Sequence, residues 1–228
     1  MKQRILIADD HEVVRRGLVT LLQSHEGWEI CGEARDGREA VEMAKTLKPD
    51  VVILDVGMPN LNGLAATRQL AHLDPPCKVI VLTITDSDQV IREALDAGAR
   101  GFVLKSDAAR DLVSAVEALI RNRVFFTPRV NDMVLAGFLE KGTSMSNHGV
   151  PKLPTLTTRE REVLQLLAEG KSSKEVASFL NLSTKTAETH RSNIMRKLDF
   201  HSIRDLVVYA VKNNIIQVQV PPSGTTAA

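Results

Sequence analysis

The sequence predicts an α/β domain with a doubly wound parallel sheet, a (βα)5 unit, followed by a smaller all-α domain of four helices. Three observations carry this. Residues 3 to about 123 alternate short β-branched runs with helix-like stretches. Residues 157 to about 216 read as helix only, with no strand run and no proline. Between them KGTSMSNHGVPKLPT gathers Gly, Ser, Asn and Pro, which is linker chemistry.

The expected strands are 4–9, 28–34, 51–55, 78–83 and 101–105, and VVIL and VIVL are apolar throughout, as parallel strands buried on both faces must be. The intervening helices are 11–24, 36–47, 61–73, 86–98 and 106–121. One more helix is expected after Pro128. In the second domain, Thr157 followed three residues later by Glu160 spells a capping box for a helix of about 157–169, which Gly170 closes. A serine cap opens a helix of about 173–180, Asn181-Leu182 turns the chain, and Ser183 caps a longer helix to about Leu198. A fourth helix runs from Ser202 to about Asn214. The resulting boundaries are 1–123, a linker at 124–154, 155–217, and a tail at 218–228 expected to be disordered.

Composition narrows the class. Of 228 residues 43% are hydrophobic and 25% charged, which is globular and excludes disordered and collagenous chains. No run reaches the ~18–20 apolar residues of a membrane span, and acids occupy the place of a signal peptide's apolar stretch. Two cysteines, Cys31 and Cys77, are too few for a disulfide scaffold and point to a cytoplasmic setting. The net charge of +1 argues against a nucleic-acid partner only as an average. Residues 1–124 carry 16 basic and 19 acidic side chains, whereas 151–228 carry 11 and 7. An acidic domain is tied to a basic one.

Asp9 and Asp10 end the first predicted strand and Asp55 the third, so a doubly wound sheet brings three carboxylates to one crevice. Unpaired, they repel one another and raise their pKa values; a hard divalent cation such as Mg²⁺ removes the conflict. Thr83 and Lys105 end the fourth and fifth strands and bring a hydroxyl and a point cation to the same rim. This set suits phosphoryl chemistry with Asp55 as nucleophile. A lone Asp at a strand end is usually a helix cap, but five matching residue types at strand ends are hard to produce by chance. His11, beside the acid pair, is read as a capping or surface residue.

The segments ADDHEVVRRGL, VVILDVGMPNLNGL, VIVLTI and GARGFVLK resemble the receiver domain of bacterial two-component response regulators over about residues 3–121. The resemblance implies that Asp55 takes a phosphoryl group from a sensor histidine kinase. It also implies that Asp9, Asp10, Asp55 and the Gly57 carbonyl surround Mg²⁺, and that Thr83 and Lys105 bind phosphoryl oxygens. Phe102 falls at the family's aromatic switch position, with plain core packing as the alternative reading.

In the second domain, the helix at 184–198 turns Ala187, Ile194 and Leu198 to one side at about 100° per residue, with His190 at the edge. The opposite side carries Lys185, Thr189, Ser192, Asn193 and Arg196, a face that reaches phosphates and base edges or is simply solvated. The helix-turn-helix frame and the basic charge favour DNA. LTTREREVLQLLAEGKSSKEVASFLNLSTKTAETHRSNIMRKL resembles the LuxR-type DNA-binding domain, and with the receiver it places the chain among NarL/FixJ-type response regulators. That likeness implies a homodimer on double-stranded DNA with inverted half-sites. It implies base contact from Glu188, Thr189 and Ser192, and backbone contact from Lys171, Lys174, Thr184, Lys185, Arg191 and Arg196. Glu188 departs from members with a basic residue there; an acid repels phosphates but accepts from a cytosine amino group. The last helix is apolar on more than one face, and its surplus at Val207, Val208 and Val211 is read as a dimer seam, with docking on the receiver as the alternative.

Two rival functions are weighed. A phosphatase using an Asp nucleophile needs a second Asp two residues on, where this chain has Gly57. A regulator independent of phosphorylation would not need the complete acid, hydroxyl and lysine set.

Overall fold

The computed structural model describes residues 2–134, 156–213 and 215–216. The expected tail at 218–228 and most of the expected linker lie outside these residues.

The first domain follows the predicted alternation: β1 Gln3–Ala8, α1 Glu12–Gln23, β2 Trp28–Ala34, α2 Gly37–Leu47, β3 Val51–Asp55, α3 Gly63–Ala71, β4 Lys78–Thr83, α4 Asp88–Asp96, β5 Gly101–Leu104 and α5 Ala108–Ile120. The five strands are parallel in the order β2-β1-β3-β4-β5. Strand order therefore reverses between β1 and β3, and the crevice at the carboxyl ends of these two neighbours is the topological switch point. Helices α2, α3 and α4 cover one face, over Leu6, Val52, Leu54, Val79 and Val81. Helices α1 and α5 cover the other, over Ile5, Ile7, Ile53, Ile80 and Leu82. Every residue of β3 is buried, which is why that strand reads as apolar without a break until its terminal acid.

Three boundaries differ from expectation. Asp9 and Asp10 lie just beyond β1, and Lys105 opens a 3-10 turn, Lys105–Asp107, instead of closing β5. The stretch expected as linker from 124 begins as part of the first domain. Phe125 bridges to Gly101 beside β5, exchanging backbone hydrogen bonds with Phe102 and Arg100 at 2.9 and 3.0 Å. Helical residues 128–134 (α6) start at Pro128 as expected, and Val130 is buried with Phe102. Sequence pattern could not show this, because one apolar residue per turn is enough to dock a short segment against an open strand edge.

The second domain holds α7 Thr158–Ala168, α8 Ser173–Phe179, α9 Thr184–Lys197 and α10 Ile203–Lys212. The capping boxes at Thr157–Glu160 and Ser172–Glu175 are formed, as is a third at Ser202–Asp205, and Ser183 caps α9 by accepting from the Thr186 N–H. Each satisfies amides that a helix start leaves unpaired, worth about 1 kcal/mol apiece. Val163, Leu164, Leu167, Val176, Ala187, Ile194, Leu206 and Ala210 form a separate core. Leu198 packs at its margin.

Because Ile194 is fully buried in the small second core, Ile194→Ala should cost about 2–4 kcal/mol. In a thermal melt followed by circular dichroism the expected result is earlier loss of the helical domain with the sheet domain's transition little changed.

Candidate functional site

The crevice is assembled by backbone geometry before any side-chain chemistry. β3 ends in Asp55, and the chain must turn at once through Val56–Asn62 to start α3. The Gly63 N–H donates to the Val56 carbonyl at 3.0 Å, and a Cβ on Gly63 would collide with the Asp55 carbonyl oxygen. Only glycine allows α3 to start this close to the acid. Asn62 caps α3 by accepting from the Ala65 N–H at 2.8 Å. After the neighbouring strand β1, the buried Arg15 guanidinium of α1 donates to the Asp9 carbonyl at 2.8 Å and pairs with Glu33 at 3.2 Å, which holds the turn carrying the acid pair. Arg15 was not among the sequence candidates; an arginine in the first turns of an amphipathic helix looks like surface, and only the fold shows it turned inward.

Four of the five expected residues, Asp9, Asp10, Asp55 and Lys105, come together, and Thr83 ends β4 one residue beyond Leu82, the register partner of Asp55. Asp9 and Asp55 are fully buried, Thr83 nearly so, and Asp10 is partly exposed. The Lys105 ammonium lies 2.8 Å from Asp9 Oδ2 and 2.9 Å from Asp55 Oδ2. Gly57 is buried in the loop after Asp55. Thr83 Oγ1 accepts from the Thr85 N–H at 3.3 Å, holding the start of the segment that leads into α4. Phe102 is 1% exposed and sits in the core with Val90, Ile91 and Val130. His11 stands at the N-cap position of α1 without capping it, its Nδ1 2.8 Å from Asp10 Oδ1.

Burial pushes the Asp55 carboxyl above its ordinary range, opposed by the Lys105 cation and reinforced by the Asp9 charge. Burial also favours the neutral amine of Lys105, but the Asp55 and Asp9 carboxylates outweigh it and hold the ammonium above its usual value. One cation thus serves two buried acids. Asp9 Oδ2, Asp10 Oδ1 and both Asp55 carboxylate oxygens are buried without a hydrogen bond of proper direction, despite the close ammonium. Donor atoms of Asp9, Asp10, His11 and Asp55 lie within 4.8 Å of one another. Clustered, buried, unsatisfied oxygens are the donor set a hard divalent cation takes, so the residues fit such an ion.

In the second domain Lys174, Thr184, Lys185, Glu188, Thr189, Arg191, Ser192 and Arg196 are all exposed. The outward face of α9 is open to solvent and the first domain does not cover it. Lys171 differs: its ammonium is 2.8 Å from Glu169 and 3.4 Å from the Asn60 amide oxygen. On α10, Leu206 and Ala210 face the core while Val208 and Val211 are exposed and Val207 is half-buried.

The domains meet along α7, which no sequence signal indicated. Gln165 is buried, donates to the Met58 carbonyl and accepts from the Asn62 N–H, each at 3.0 Å. Glu169 accepts from the Asn60 N–H at 2.9 Å, and Arg161 pairs with Glu93 at 2.8 Å. Arg38 donates to the Phe179 carbonyl at 2.6 Å and lies over its ring.

Two family models match this chain. Residues 5–117 match the response regulator receiver domain, and residues 154–210 match the bacterial regulatory proteins of the luxR family. The response regulator protein VraR of Staphylococcus aureus is 36% identical over 217 residues, covering 95% of this chain and 100% of the relative. The chain belongs to the LuxR-type response regulators. Among solved structures, the Salmonella typhimurium RcsB response regulator aligns with a TM-score of 0.62 at 28% identity, covering 93% of this chain and 99% of that one. RcsB of Salmonella enterica serovar Typhimurium bound to promoter rprA, in the presence of the phosphomimetic BeF3-, aligns with a TM-score of 0.61 over 91% of this chain and 98% of that one. The (βα)5 receiver and helical second domain expected from sequence are therefore those of the family. Among the described residues of this regulator, no helix is long and apolar enough to cross a membrane.

Since Lys105 is what lowers the Asp55 carboxyl against burial, Lys105→Met should raise the Asp55 pKa further. Carbon-detected NMR titration of the Asp55 carboxyl in chelator-treated protein measures this; an unchanged midpoint would contradict the electrostatic assignment.

Proposed function

We propose that this response regulator controls transcription by binding promoter DNA in a manner set by phosphorylation of Asp55. The observation that carries the reading is the buried crevice in which Asp55 stands beside Asp9, Asp10 and Lys105, linked in one chain to an open basic helix-turn-helix face. An Asp55 carboxylate oxygen attacks the phosphorus of a sensor kinase's phosphohistidine; the P–N bond breaks, and the leaving imidazole takes up a proton. Asp9, Asp10, Asp55 and the Gly57 carbonyl would hold Mg²⁺, which supplies charge neutralisation at the transferring phosphoryl group. Lys105, already 2.9 Å from Asp55, moves its charge to a phosphoryl oxygen, and the Thr83 hydroxyl turns inward to another. Inward motion of Thr83 vacates space for Phe102, whose neighbour Val130 carries the change to α6.

On the output side, Thr189, Ser192 and Glu188 read base edges, while Lys171, Lys174, Thr184, Lys185, Arg191 and Arg196 contact the phosphate backbone. The exposed Val208 and Val211, with Val207, form the seam of a homodimer on inverted half-sites. Two apolar side chains on a helix whose other face is already used have reason to find a second copy. The place of action is the cytoplasm, where the DNA is.

Two experiments test this. Asp55→Asn should abolish labelling by a small phosphodonor, read by phosphate-affinity electrophoresis; full labelling of the variant would remove Asp55 from its role. In DNA binding followed by fluorescence anisotropy, affinity should fall with salt at a slope of roughly −0.9 per phosphate neutralised. Arg196→Ala should weaken all sequences alike, whereas Thr189→Ala should change sequence preference by about 1–3 kcal/mol at one position. Identical effects of both variants on every duplex would contradict the assignment of the α9 face.

A further inference from the structure

His11 is the residue at the crevice that the proposed function leaves unused. It holds the N-cap position of α1, yet its side chain makes no capping bond. The ring is turned to the acids instead: Nδ1 lies 2.8 Å from Asp10 Oδ1 and 3.4 Å from Asp9 Oδ1. The backbone supports this pose, because the His11 N–H donates to Asp9 Oδ1 at 2.9 Å. Lys105 serves different atoms, Asp9 Oδ2 and Asp55 Oδ2. The approach of Nδ1 to Asp10 has the length of a hydrogen bond but not its direction, and Asp10 Oδ1 is left buried without a partner. Asp9 Oδ2 and both Asp55 carboxylate oxygens, on side chains with no solvent exposure, are unpartnered too. One donor atom from each of Asp9, Asp10, His11 and Asp55 falls within 4.8 Å of the others. Donors that crowd together without bonding one another are placed as ligands are, since neighbouring donors of a six-coordinate ion at about 2.1 Å stand about 3 Å apart.

We propose that the His11 imidazole is a fourth side-chain donor to the ion held by Asp9, Asp10 and Asp55, and that it turns the crevice from Mg²⁺ toward the first-row divalent ions that nitrogen favours. This rests on the ion site proposed above. Carboxylates and a carbonyl are a hard oxygen set, matched to Mg²⁺; an imidazole adds a borderline nitrogen, which suits Co²⁺, Ni²⁺ and Zn²⁺ better than Mg²⁺. A ring bound through the Nδ1 lone pair keeps its proton on Nε2. The His11 side chain is 44% exposed and that of Asp10 15%, so this end of the crevice is open to an ion arriving from solvent. Occupancy of the crevice then follows the supply of such an ion as well as that of Mg²⁺.

The test reads metal binding in the full chain, untagged and chelator-treated, with no phosphodonor present. In calorimetric titrations with Co²⁺ and, separately, Mg²⁺, His11→Ala should weaken Co²⁺ binding roughly tenfold or more while changing Mg²⁺ affinity by less than about twofold. The proton NMR spectrum of the Co²⁺-loaded wild type should show a hyperfine-shifted, solvent-exchangeable imidazole N–H resonance that His11→Ala lacks. His11→Gln keeps a polar side chain beside Asp10 without a ring nitrogen, and should repeat both losses if His11→Ala lowers the melting temperature. Equal losses of Co²⁺ and Mg²⁺ affinity, or survival of the shifted resonance in both variants, would overturn His11 as a donor while leaving the ion site standing. Asp55→Asn should weaken both ions; unchanged binding of both in that variant would put the ions outside the crevice and overturn the two readings together.

Discussion

One ammonium shared by two buried carboxylates is the interaction on which the rest of this structure depends. Asp9 and Asp55 have no solvent exposure, and Lys105 stands within 2.9 Å of both. Charges placed so deep are tolerated only when paired, and one cation does not balance three acids. The surplus negative charge suits the crevice to a divalent cation. Everything around the crevice serves its geometry: the β1/β3 switch point, the Arg15 hold on the Asp9 carbonyl, and the glycine that lets α3 begin against Asp55.

The two domains are held together differently from the way each is held internally. Their cores are apolar and separate. The contact between them is made by an amide, carboxylates, guanidinium groups and backbone polar groups. Such groups are nearly as well satisfied by water as by one another, so this surface can part at small cost, whereas a shared apolar core could not. The 57–62 loop follows Asp55 closely in the chain and also takes part in this contact.

Much of this was legible in residue order. The five strands fell within one or two residues of their predicted places because a strand buried on both faces has little choice but an unbroken β-branched run. The four C-terminal helices were announced by their Ser and Thr caps, which must be near in sequence to work. The acids and Lys105 were legible because the ends of the strand runs, to within a residue or two, are local features, and parallel topology gathers them. Arg15 and Gln165 were not found. Both are polar residues on amphipathic helices, and whether such a side chain meets water or a buried carbonyl depends on a partner distant in sequence: residues 165 and 62 stand 103 positions apart.

The sequence by itself determined the class of the fold, the division of charge between an acidic and a basic domain, and the identity of the residues in the crevice and on the α9 face. These follow from periodicity, caps and strand ends, all properties of neighbours in the chain. Tertiary structure alone decided that Phe125 and α6 join the receiver, that Lys171 is held while the α9 face is open, and that α7 grips the loop after Asp55. Those facts come from surfaces meeting, and a surface is shared by residues with no periodic relation to announce it.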